Sequence, residues 1–161
     1  MFLKSQFQTL FAYHWHTTNR LLERASQLPK TDYYHQPGYG HGSIHDLFFH
    51  LLRTDYGWRV ALESGRQSPP LPAENYPDLA TIQSAFASEQ QAWEVYWQQL
   101  EAPQIEQEIS LLTLRGQAFA IPRWRILQHL ALHGMQHHSE LGQLLTAKGQ
   151  SPGDIDFIFF S

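Results

Sequence analysis

Late in the chain runs the segment His129-Leu-Ala-Leu-His133-Gly-Met-Gln-His137-His138. Two imidazoles four residues apart on a helix lie one above the other on a single face. At about 100° per residue that face also carries Leu130, Gly134 and Leu141, so His133 and His137 point inward. Each offers one nitrogen to a divalent ion, and Gly134 removes side-chain bulk beside the pair. The spacing lacks the general-base glutamate of the HExxH zinc helix, so by itself it fits a polar core network as well as a metal. A third histidine adds weight. His50 flanks another apolar stripe, between Leu47 and Leu51. Three inward histidines without partners would cost about 1–3 kcal/mol each, whereas one divalent ion satisfies all of them.

The chain holds ten histidines and no cysteine. The missing cysteine excludes disulfides, thiolate zinc sites, iron–sulfur clusters and a cysteine nucleophile together. Metal or acid–base chemistry must then rest on histidine and carboxylates. Of the other histidines, His14 lies on the inward stripe of the first helix, from which it can approach the ion as a supporting residue or an extra ligand. His129 rotates toward a helix flank, His138 points away from the His133–His137 pair, and His41 and His45 bracket a helix start open to solvent. His14 and His138 are the candidates for supporting the ligands from behind. Glu140, one turn past His137, is the candidate catalytic base or orienting carboxylate, set against a plain solvated flank. The net charge of −4 argues against a nucleic-acid surface.

Four helices must position these groups. The first spans about 3–28, with apolar residues from Phe7 to Ala25 repeating at three and four, and Pro29 closes it. A Pro/Gly/Tyr-rich loop leads to Ser43, a natural N-cap with Asp46 three residues on. The second helix runs from there to Gly65. A proline-rich stretch, Gln67–Pro77, crosses the molecule to a third helix over about 78–100, whose seam includes Ile82, Phe86, Trp93 and Trp97. Residues 105–121 lose helical period and predict a short hairpin about Arg115-Gly116. The fourth helix runs from Pro122 to Lys148, with Gly149 after it, and the apolar tail Ile155–Phe160 packs back on the bundle or into a partner. The expectation is one all-α domain over residues 1–161: a four-helix bundle with a long crossover linker and a short hairpin before the last helix. The N-terminus does not read as a secretory signal, and no run approaches about 18 apolar residues. A cytoplasmic protein with no membrane segment is expected.

The order of these fragments resembles the DinB family of four-helix bundles. Tyr13-His-Trp-His-Thr-Thr-Asn-Arg20-Leu21-Leu22 is similar to the family's opening helix, Gly42-Ser43-Ile44 through His50-Leu51 to Trp58 to its second, and His133-Gly134-Met-Gln-His137 through Leu144-Leu145 to Gly149 and Pro152 to its last. The resemblance implies that His50, His133 and His137 are metal ligands, nickel or zinc being common, and that the protein is a homodimer. It also implies, for some members, transferase or isomerase chemistry with a small thiol cosubstrate. Two departures stand out. His138 and Glu140 replace an arginine and a glutamine after the last ligand, and His16 and Thr18 replace a tryptophan and an asparagine in the first helix.

A neutral three-histidine site with open positions lowers the pKa of a bound water or thiol toward about 7. The expected activity is therefore thiol transfer to, or hydrolysis of, a small electrophilic molecule. Without a protein cysteine, the sulfur would come from outside. Two readings stand against it: a non-catalytic bundle stapled by an ion or a histidine network and acting in protein interaction or stress response, and a haem bundle, which would leave the third histidine unused.

Overall fold

The computed structural model describes residues 2–160. Helix α1 covers Phe2–Ala25, α2 Lys30–Tyr33, α3 Ile44–Ser64, α4 Leu79–Gln99 and α5 Arg123–Ala147, with the hairpin β1 (Glu108–Leu112) and β2 (Ala118–Pro122) just before α5. The four long helices form a closed ring: α1 packs on α5, α5 on α3, α3 on α4, and α4 on α1. The expected helical bundle and hairpin are both present. The four-residue α2 lies inside the stretch read as loop, and 3-10 turns at Ala73–Asn75, Ala102–Ile105 and Phe157–Phe159 punctuate the linkers and tail. Among the described residues, no helix is long and apolar enough to cross a membrane.

Local chemistry sets the helix ends. Ser43 Oγ accepts from the Asp46 backbone N–H at 3.1 Å while Asp46 Oδ2 accepts from the Ser43 N–H at 2.9 Å, a reciprocal cap for α3. Gly65, at φ +70°, closes the same helix in the left-handed region. Asp78 and Thr81 cap α4 in the same reciprocal way. Pro122 ends β2 and stands just outside α5 rather than in its first turn.

The hairpin is antiparallel, pairing Glu108 with Pro122 and Leu112 with Ala118. The start of the crossover linker lies along it, with Gln67 N–H donating to Leu112 O at 2.8 Å and Leu112 N–H to Gly65 O at 2.9 Å. Inside the ring, Phe11 packs against Trp93 with centroids 4.6 Å apart and edge-on to Trp97 at 5.1 Å. The core also holds ion pairs. Arg59 grips the buried Glu89 with two hydrogen bonds of 2.6 and 2.8 Å, tying α3 to α4. The tail returns onto α1, where the Tyr13 hydroxyl donates to Ile155 O and its ring meets Phe157 and Phe160 edge-on.

Candidate metal centre

His50 projects from the first half of α3, and His133 and His137 from successive turns of α5. Their rings meet. His50 Nε2 and His137 Nε2 lie 3.0 and 3.1 Å from His133 Nε2. Ligands held about 2.1 Å from one ion stand about 2.9–3.4 Å apart, the range from octahedral to tetrahedral edges.

The protons in this cluster do not close without a positive charge. Arg53 can only donate, so its 3.3 Å contact makes His50 Nδ1 an acceptor and puts the His50 proton on Nε2, facing His133. Glu140 Oε2 lies 3.0 Å from His137 Nδ1 and accepts its proton. A neutral His137 then turns a bare Nε2 toward the bare Nε2 of His133, and two lone pairs 3.1 Å apart require a proton or a cation between them. His133 Nδ1 is buried with no hydrogen-bond partner. On this donor set the residues fit a divalent ion. Ligation through all three Nε2 atoms requires the His50 proton on Nδ1, where it can no longer accept from Arg53.

Burial pushes the His50 ring down to about 4, helped by the neighbouring His137, His41 and Arg53. Burial also takes His133 down to about 3, reinforced by His137 and His50. Both rings are neutral at pH 7, the state in which imidazole binds metal. At Glu140, partial burial favours the protonated form, but hydrogen bonds with Gln136 and His137 outweigh it and hold the carboxyl below its ordinary range.

Of the residues expected to support the ligands, His14 and His138 lie apart from the cluster and Glu140 meets it. His14 is buried with its Nε2 3.0 Å from Asp55 Oδ2, and His138, fully buried, lies 2.8 Å from the Thr18 hydroxyl. Neither hydrogen-bonds His50, His133 or His137. They form a separate polar pair between α1 and α5, rings 4.9 Å apart, and a Cβ at Gly134 would collide with the His14 ring. Gly134 thus makes room for His14. The group that backs a candidate ligand is Glu140.

His41, expected in solvent, is exposed, yet it closes one side of the cluster. Its ring stacks on His50 at 4.7 Å and 18° and stands edge-on to His137 at 4.7 Å. Ligand nitrogens of His41, His50 and His137 all lie within 4.8 Å of one another, a grouping that shares His50 and His137 with the expected ligands and leaves His133 out. Gly42 follows His41 in the turn into α3. At φ +97° it occupies a region other residues avoid, and a Cβ there would sit 2.6 Å from Asp46 Oδ2. The available signal was a histidine between two glycines just ahead of the helix that carries His50.

Fold and site together define a helical bundle with an inward histidine cluster compatible with a bound divalent ion. The model of the DinB family matches residues 1–161, and the chain belongs to that family. A crystal structure of a DinB-like protein from Bacillus subtilis shares the fold, with a TM-score of 0.63 and 19% identity over 88% of this chain and 92% of that one. No curated protein matches the chain.

Proposed function

We propose that His50, His133 and His137 hold one divalent ion, nickel or zinc by family resemblance, and that the protein is a metal-dependent enzyme acting on a small electrophilic molecule. The observation carrying this reading is that His50 and His137 each bring Nε2 to His133 Nε2, at 3.0 and 3.1 Å, with no proton arrangement of neutral rings that satisfies both contacts. When bound, such an ion supplies a Lewis acid that brings a coordinated water or small thiol toward ionisation near neutral pH. The chain's own groups do the rest. Glu140 holds the His137 proton on Nδ1, keeping Nε2 free for the ion. His50 and His133 stay neutral through burial. With no cysteine in the sequence, a sulfur nucleophile would be a cosubstrate.

The position of His41 favours a second reading. As a ligand beside His50 and His137 it would tie the loop to α3 and α5 through the ion, a staple without catalysis. Elemental analysis of the purified protein and four variants separates the two. The enzyme reading expects about one ion per chain, lost in His50→Ala, His133→Ala and His137→Ala but retained in His41→Ala, together with thiol-transfer or hydrolytic activity that chelation abolishes. Loss of the ion in His41→Ala as well supports the staple. A native protein without stoichiometric ion rejects both.

A further inference from the structure

The stripe of α3 that carries His50 continues as Arg53, Thr54, Gly57 and Ala61, and these residues floor a cavity of about 530 Å³. Trp58 stands at one side, and the linker at Pro69-Pro70 and the hairpin residues Leu111 and Phe119 complete it. The volume suits a small organic molecule. At Gly57 a Cβ would meet nothing within 4 Å, so the helix faces open space there.

The polar groups around this cavity are mostly committed to the protein. Thr54 Oγ1 donates to His50 O at 2.9 Å, Ser68 Oγ to Pro69 O at 2.5 Å, and Gln67 Oε1 accepts from the Leu114 N–H at 3.2 Å. Arg53 is the exception. It is exposed, it pairs with no carboxylate among the described residues, and its side chain makes one hydrogen bond, the 3.3 Å contact to His50. An apolar chamber with one guanidinium free of any carboxylate at its histidine end selects for an apolar body with a single anionic group, because a planar carboxylate takes two parallel hydrogen bonds from arginine.

We propose that this cavity binds an aromatic or similarly apolar carboxylate, its anionic end on Arg53 beside His50 and its body over Gly57 and Ala61, against Trp58 and Phe119. Binding in this pocket does not depend on the metal. Only what then happens to the bound molecule rests on the proposed function.

Isothermal titration with 2-naphthoate and its neutral counterpart 2-naphthalenemethanol tests the assignment, on the protein as purified and after metal removal. Naphthoate is expected to bind one per chain, at least tenfold tighter than the alcohol. Arg53→Gln should remove that preference and leave the alcohol unchanged. Gly57→Leu, which favours helix while filling the chamber, should abolish binding of both without altering the circular dichroism spectrum. Should that variant not fold, Phe119→Ala, at a half-exposed strand position, should weaken both ligands at least threefold. The proposal is overturned if naphthoate does not bind at millimolar concentration, if both ligands bind alike, if Arg53→Gln keeps the preference, or if the cavity variants bind as the native protein does. Naphthoate binding that persists after metal removal is the expected result, and binding by a protein that elemental analysis shows to be purified without any ion would leave the pocket standing while that analysis rejects the metal reading.

Discussion

Glu140 determines which nitrogen of His137 faces the cluster. Its carboxylate, 3.0 Å from Nδ1, holds the ring in the tautomer a metal needs, and such backing typically contributes 10–100-fold in affinity. Glu140→Ala is therefore expected to weaken metal binding about 10–100-fold in competition with a chromogenic chelator, while Glu140→Gln, whose amide oxygen can still accept, loses less. Unchanged affinity in the alanine variant would show that the carboxylate does not orient His137. The sequence displayed the candidate ligands because an i, i+4 pair on an apolar face is a local pattern. It displayed Glu140 as a possible orienting carboxylate, one turn past His137, but not the partners of His14 and His138. His14 and Asp55, like Thr18 and His138, are far apart in sequence and meet only through the packing of α1 on its neighbours. His41 lay hidden for another reason: a loop residue has no periodicity to betray which way it faces.

Helix α5 approaches α1 closely at Gly134, and the His14 ring fills the space where a side chain would stand. His14 cannot swing aside without losing its contact with the buried Asp55. Gly134→Ala gains helix propensity of about 0.8–1.0 kcal/mol yet is expected to destabilise the protein by a net amount of about 1–2 kcal/mol, since overpacking a rigid contact outweighs propensity. A melting temperature several degrees lower would show it, and an unchanged one would mean that the helices separate freely. The long helices and the hairpin were legible from apolar repeats, from the Ser43–Asp46 and Asp78 caps, and from the bounding glycines and prolines. The short α2 and the 3-10 turns were not, because three or four residues cannot display a period.

Across the whole molecule, the half-buried His50 and His133 make stability depend on pH in the absence of metal. His50 and His133 titrate near 4 and 3 when folded but near 6.5 when unfolded, so between those values the unfolded chain binds more protons. Their contribution is complete above about 6.5 and is lost as pH falls toward their folded values. Urea unfolding of the chelated protein should show a free energy of unfolding that declines from pH 6.5 to 4, and His50→Gln combined with His133→Gln should flatten that decline. An equally steep slope in the double variant would place the acid sensitivity elsewhere. The cluster also constrains the order of events during folding. His50 and His133 are 83 positions apart, with α4, the crossover linker and the hairpin all intervening. Of the four histidines in the cluster, a growing chain that has made α3 owns His41 and His50, and the other two emerge on the last long helix. Closing so long a loop is slow compared with forming any one helix. The complete histidine cluster therefore assembles late, as α5 docks on α3 to close the ring of helices, and the rate at which a refolding chain captures an ion would time that closure.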